Sequence, residues 1–413
     1  MHQLSEETVA SKRMGLGSLG SYIDAFTASM LELGYTEATR RTQLWHLSVI
    51  DRWMARNAVE VGDLNESFVR SFAEERRREG VLHKGQVATF CRLLQLLREQ
   101  NVIPPAREAS EQSELAVLER TYERYLRLER GLTTATVQNY MPFLRRFLLD
   151  RFGHGSLHLQ QLGPADVSGF VLRHAPSMSA GSAALMITAM RSFLRFLLYR
   201  GEIKMDLAAA VPTVPRWRLS TLPKYLKYEE VERVLEGCDR STSHGRRNYA
   251  ILLLLARLGL RGGEVVALEL ADINWRAAEI SVRGKGSLHH RLPLLHDVGQ
   301  ALADYLKHDR PHCVTRRVFV RMKAPHHGFA SPVAVSTIVR RALERVGLAP
   351  LLKGAHLLRH SLATGMLRNG ASMKEIGEVL RHRLPSTTEI YAKVDIGGLG
   401  ALALPWPNIG GAQ

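Results

Sequence analysis

The chain has 413 residues, 45% hydrophobic and 23% charged, a balance that excludes a disordered or fibrous protein and leaves room for two or three domains. Lysine and arginine number 56 against 40 aspartates and glutamates, a formal charge of +16 that points to a polyanionic partner, nucleic acid foremost. Three cysteines, far apart and in no CxxC spacing, exclude a disulfide framework and a cysteine zinc site.

The charge is uneven: net −1 over residues 1–112, +6 over 113–222 and +11 over 223–413. The N-terminus has no charged-then-apolar signal pattern. The apolar run from Ile251 to Ala256 is far shorter than a bilayer span, so a cytoplasmic protein without a membrane partner is expected.

In chain order, an internal repeat comes first. Gly34-Tyr35-Thr36-Glu37-Ala38-Thr39 matches Gly131-Leu132-Thr133-Thr134-Ala135-Thr136, and Leu64, Val69 and Phe72 match Leu162, Val167 and Phe170. The stretches from Phe90 and from Ala189 each lead into an apolar helix ending near Ile103 or Ile203. In each copy a threonine before the apolar-periodic run is placed to cap a helix. Within the second copy, Met186, Met190, Phe193, Leu194 and Leu197 form an apolar stripe, with Arg191 and Arg195 on the opposite face. The repeat predicts two consecutive all-helical domains of one type, 1–112 and 113–212. Pro104-Pro105 marks the first connection, and Pro212, Pro215 and Pro223 mark a linker over 213–223.

From residue 224 the texture becomes mixed α/β but mainly helical. Ile280 to Arg283 alternates as a strand, Gly284-Lys285-Gly286 turns, Arg291-Leu292-Pro293-Leu294 leads out, and Val318-Phe319-Val320 is a third candidate strand. Four separated pieces then carry chemistry. They are Leu258-Gly259-Leu260-Arg261-Gly262-Gly263-Glu264, the Gly284-Lys285-Gly286 turn, His356-Leu357-Leu358-Arg359-His360, and Leu380-Arg381-His382 followed by Tyr391. Phosphodiester transfer requires an in-line nucleophile, cations around the developing charge and a proton for the leaving oxygen. Two arginines can fork onto phosphate oxygens, and a tyrosine supplies a nucleophile whose aryl ester stays reactive.

In this order the pieces resemble the tyrosine recombinase (phage-integrase-type) family, over about residues 115 to 400. Leu358-Arg359-His360-Ser361-Leu362-Ala363-Thr364 through Tyr391 resembles the family's LRHxxAT…LGH…Y block, and residues 284–294 resemble its GKG…RLPL hairpin. The resemblance implies a core-binding, SAM-like helical domain at 113–212, preceded here by a second of the same type, and a catalytic domain at 224–396 with a small antiparallel sheet. It implies site-specific cleavage and rejoining of double-stranded DNA through a 3′-phosphotyrosyl link on Tyr391; the extra N-terminal repeat and the Pro405-Trp406-Pro407 tail point to a mobile genetic element. Arg261, Lys285, His356, Arg359 and His382 would be the other catalytic residues, with Glu264 supporting them from behind. Two arginines and a lysine supply the charge, so no metal or other cofactor is expected.

By the same resemblance the protein would assemble on DNA as a tetramer, exchanging the apolar tail 397–413 between protomers. Arg145, Arg146, Arg191, Arg195, Arg216, Arg218, Arg381 and Arg383 are candidate DNA contacts. One departure concerns the residue before the second histidine, where the family has glycine and this chain has Arg381, with Arg383 two further on. Competing readings are a type IB topoisomerase-like relaxing enzyme and a non-catalytic DNA-binding protein.

Overall fold

In the computed structural model, residues 17–105, 113–153, 155–214, 222–284 and 289–394 are described. Contacts divide the chain into two units, Arg107–Ser220 and the pair of segments Met1–Ala106 and Thr221–Gln413.

The two copies of the repeat form the same series of helices. The first is α1 (Ile23–Glu32), α2 (Glu37–Arg56), α3 (Glu66–Arg78) and α4 (Gln86–Glu99); the second is α5 (Glu114–Arg124), α6 (Thr134–Phe152), α7 (Pro164–His174) and α8 (Ala180–Tyr199). A one-turn 3-10 helix precedes the third helix in both, at Val61–Asp63 and Leu159–Gln161. The turn before the second helix needs a left-handed residue in each, supplied by Gly34 (φ +79°) and Gly131 (φ +60°). Thr36 and Thr133 stand at the caps as expected, each with a 3.0 Å hydroxyl contact three residues on, to Thr39 and Thr136. Thr133 Oγ1 also accepts the Thr136 N–H, whereas Thr36 makes no such side-chain cap.

Each copy closes over its own core. Leu64, Val69 and Phe72 lie in the first, and Leu162, Val167 and Phe170 in the second. The stripe on α8 is fully buried and packs on α6. That helix is long and apolar enough to cross a bilayer by composition alone, but half of it is spent on this core.

In the remaining segment the organising element is α10 (Ser243–Arg257), preceded by α9 (Tyr228–Glu236). Ala250 through Ala256 are all buried, as expected of a helix apolar on every side. It packs against α12 (His296–His308) and α14 (Ala355–Arg368), with α11 (Gly262–Ala267), α13 (Val333–Arg345) and α15 (Met373–Val379) completing the helical layer. The sheet is antiparallel in the order β1 (Ile273–Asn274), β2 (Glu279–Arg283), β3 (His289–Pro293), with Ile280 opposite Leu292 and Arg283 opposite His289. Val318-Phe319-Val320 is not its third strand, which is β1. All three of those residues are buried, lacking the alternation of a half-buried strand, and the segment makes only isolated bridges at Arg317 and Val320 among the described residues.

Candidate active site

The end of α10 delivers the first cation. After Leu258 the chain turns through Gly259 (φ +57°), where a Cβ would meet Leu380 at 2.8 Å and Leu362 at 3.0 Å; only glycine fits both constraints. The turn sets Arg261 in extended backbone at the head of α11. There Glu264, in the first turn, accepts the Arg261 N–H at 2.8 Å and its guanidinium at 2.7 Å. Gly262 lets α14 approach, since a Cβ would lie 3.3 Å from that of Ala355.

Arg359, on α14, is buried and donates to the carbonyls of Gly259 and Leu380. Two nitrogens so held fix the guanidinium plane and leave a second N–H on each. Arg381 follows α15 with φ +55°, a left-handed backbone where glycine is the relaxed choice. Its guanidinium turns inward, donating to the carbonyls of Leu258 (3.2 Å), Gly259 (3.1 Å) and Val379 (3.0 Å) and to Glu264 Oε2 (3.0 Å). Arg381 is therefore not the DNA-facing residue expected from sequence: its side chain is 2% exposed and tied to protein acceptors.

Arg261 and Arg381 thus share one carboxylate, while Arg359 shares the Gly259 carbonyl with Arg381. Burial would raise the Glu264 carboxyl, but the Arg261 N–H and the charges of Arg381 and Arg261 hold it below its ordinary value. Burial, then the charges of Arg261 and Arg381, push Arg359 down to about 9, so it stays cationic at neutral pH. Burial likewise lowers Arg381, against the pull of Glu264. A buried cluster with surplus positive charge is costly when empty and is relieved by an anion.

An open cleft of about 380 Å³ meets this cluster, lined by Arg261, Glu264, Arg283, Gly284, Ser336 and His356. Gly284 is the residue before Lys285, which itself lies outside the described residues. His356 faces the cleft, and desolvation followed by the charges of Arg359 and Arg261 keeps its ring below the ordinary imidazole value. A larger cavity of about 850 Å³, between Tyr225–Val231 and the second half of α14, contains none of the cluster.

Tyr391 lies in a short 3-10 segment, Glu389–Val394, packed with Ala363, Ile376 and Leu380. Burial pushes its hydroxyl up to about 12, against the attraction of Arg359 and Arg261. The hydroxyl is 2.8 Å from Nδ1 of His360. His360 belongs to the Leu358-Arg359-His360 motif without a role that the motif assigns; its position four residues after His356, on one helix face, is the signal in the sequence. His382 points to Thr388, with Nδ1 2.8 Å from Oγ1, and burial with nearby cations pushes it down to about 4.

The remaining cations divide. Arg145 is engaged in a bidentate pair with Glu119 (2.7 and 2.5 Å), and Arg191 donates to the Val211 carbonyl. Arg145 nevertheless stays exposed, as do Arg146, Arg195 and Arg383, while Arg191 is half-buried. Arg216, Arg218 and the tail 397–413 lie outside the described residues.

Comparison with known proteins follows the same division. Residues 224–396 match the phage integrase family and residues 120–201 match its N-terminal SAM-like domain. The y4rA protein of Sinorhizobium fredii, named as an integrase/recombinase, is 44% identical over 393 residues, 95% of each chain. The tyrosine recombinase XerD of Mycobacterium tuberculosis is 34% identical over 303 residues, 95% of that protein but 69% of this chain. Among solved structures, the XerH site-specific recombinase bound to a palindromic difH substrate superposes with a TM-score of 0.54 at 20% identity, covering 75% of this chain and 87% of that one.

Proposed function

Because the chain belongs to the phage integrase family of tyrosine recombinases, we propose that it cuts and rejoins double-stranded DNA at specific sites, with Tyr391 as the nucleophile. The observation that carries this reading is the pairing of Arg261 and Arg381 with one buried carboxylate, with Arg359 held on the same Gly259 carbonyl as Arg381 and its charge, like that of Arg261, acting on the buried Tyr391 hydroxyl. A scissile phosphate in the cleft offsets the surplus charge. Arg261 and Arg359 bind its non-bridging oxygens, and these bonds strengthen as charge accumulates in the transition state.

Tyr391 Oη attacks phosphorus, the bond to the 5′ oxygen breaks, and a 3′-phosphotyrosyl link remains. Lys285, which follows β2 in the sequence, protonates the departing 5′ oxygen. His356 and His382 hydrogen-bond the phosphate side of the site, and Glu264 with Arg381 fixes the Arg261 and Gly259 backbone behind it. The bond energy is stored in the aryl ester, so attack by a 5′-hydroxyl reverses the step and rejoins the strand. No metal is assigned a part.

Exchange between two duplexes requires four strand cuts and hence four copies of Tyr391, which supports assembly as a tetramer on DNA. The tail 397–413 is assigned to contact between protomers. The basic domain 113–212 and the catalytic domain 224–396 bind the duplex, while 1–112, with net charge −1, is suited to contact between protomers or to limited DNA contact. The XerD relative has no counterpart to about a third of this chain, whereas y4rA matches nearly all of it. The likeness to an integrase/recombinase over nearly the whole chain supports service to a mobile element, and action on DNA is the reason to place it in the cytoplasm.

The decisive experiment incubates Tyr391→Phe and the parent chain with a pool of randomised nicked duplexes. The parent is expected to form a detergent-stable adduct whose sequencing gives the target site, and the variant to retain salt-sensitive binding without any adduct. An adduct on the variant would remove Tyr391 from its role.

A further inference from the structure

Arg359 and His360 are neighbours on α14, and consecutive helical residues point about 100° apart. One therefore faces the Gly259 and Leu380 carbonyls while the other faces the segment Glu389–Val394. The helix in this way sets a phosphate ligand and a partner for the nucleophile side by side. We propose that His360 is the base that takes the Tyr391 proton during strand cleavage and returns it during rejoining, an assignment that rests on the recombinase reading above.

The geometry favours His360 over the other histidines. Its Nδ1 lies 2.8 Å from Tyr391 Oη, within the range for direct transfer, and with the ring proton on Nε2 the nitrogen accepts the phenolic O–H. His382 directs its Nδ1 at Thr388 instead, and the His356 ring is 6.3 Å from that of His360, one turn toward the cleft. In the step, Oη forms its bond to phosphorus as its proton passes to Nδ1. The bond from phosphorus to the 5′ oxygen breaks, and that oxygen takes a proton from Lys285. In rejoining, the leaving phenolate recovers the proton from His360.

The charges around the pair make this step conditional on DNA. The groups facing His360 are His356 and Arg359 on its own helix, His382 from the turn after α15, and Tyr391. Burial first, then His356 and Arg359, hold its imidazole down at about 4, so it is neutral and able to accept at physiological pH. Burial holds Tyr391 near 12, so at physiological pH the proton stays on oxygen. A phosphate seated on Arg261 and Arg359 offsets the cationic contribution that depresses His360 and raises its proton affinity at the moment a target bond is in place.

The test measures single-turnover adduct formation against pH, on the full chain with the same randomised nicked duplexes. His360→Asn keeps a polar atom near Nδ1 but cannot carry the proton. It is expected to bind DNA as the parent does, to cut about 100-fold or more slowly, and to lose the limb of the pH profile that reports a base. Placing 3,5-difluorotyrosine at position 391, whose phenol is more acidic, should shrink the His360→Asn defect about tenfold or more, which a purely structural defect would not do. A variant cutting within a few-fold of the parent, with an unchanged pH profile, overturns the assignment while leaving the recombinase reading intact. So does an equal defect with either tyrosine. Failure of the parent chain to form any adduct would instead remove the reading beneath it.

Discussion

Glu264→Gln separates the two jobs of the guanidinium cluster. The substitution keeps shape and one acceptor but removes the carboxylate that accepts from Arg261 at 2.7 Å and from Arg381 at 3.0 Å, in a side chain 5% exposed. Stripping one member from a buried ion pair costs about 3–5 kcal/mol, because the other charge is left without compensation. Arg381 retains three carbonyl acceptors, so the lower end applies, about 3 kcal/mol. For a segment the size of 224–396, that corresponds to a fall in Tm of about 6–12 °C. Phosphate or sulfate should recover part of the loss, since an anion held at 100 times its Kd adds about 2.7 kcal/mol. Scanning calorimetry of the full chain, with and without sulfate, measures both effects. Unchanged melting of Glu264→Gln, or equal response of both proteins to sulfate, would refute the picture of a buried cationic cluster awaiting an anion.

Arg381→Gly relaxes the left-handed backbone but deletes four inward hydrogen bonds, and it should slow cleavage while leaving the salt dependence of DNA binding unchanged. Arg383→Ala and Arg146→Ala, both at exposed positions, should each flatten the slope of log affinity against log salt by about 0.9; a matching change in Arg381→Gly would return that residue to the DNA surface. Stability should fall with acidity in a defined window. His360 and His382 sit at about 4 in the fold against 6.5 ordinarily, so below 6.5 the unfolded chain takes up protons first. Their contribution is complete above pH 6.5 and lost progressively toward pH 4, which a Tm series across that range checks. Phe72→Ala and Phe170→Ala should each cost about 3–5 kcal/mol, and hydrogen exchange should show the loss confined to the repeat that carries the substitution. Equal loosening of both repeats would show that their cores are not separate.

Much of the architecture is carried by short-range information. The duplicated Gly-x-Thr turns, the apolar spacing of α8 and the buried run in α10 are local patterns, because a helix repeats its face every three or four residues and a left-handed turn selects glycine. Arg261, Arg359 and Tyr391 suit phosphoryl chemistry by residue type, while Lys285 and His356 are assigned by the resemblance of their motifs to those of the family. Where a side chain finds its partner is a different matter. Val318 to Val320 has strand-like residues, yet packing buries all three and the edge of the sheet goes to Ile273–Asn274.

Arg145 and Arg381 read from sequence as surface cations, as Arg146 and Arg383 do. Tertiary packing buries Arg381 among four acceptors, whereas Arg145, though paired with Glu119, stays exposed like Arg146 and Arg383. The contact between His360 and Tyr391 spans 31 residues and depends on the 3-10 segment returning to α14. Sequence by itself determined which chemical groups are present and which lie on helices, because both are properties of residues and their near neighbours. Only the tertiary structure decided which charges are buried and which hydroxyl faces which imidazole. Desolvation and hydrogen-bond partnership arise where distant segments pack together, and they determine what each group can do.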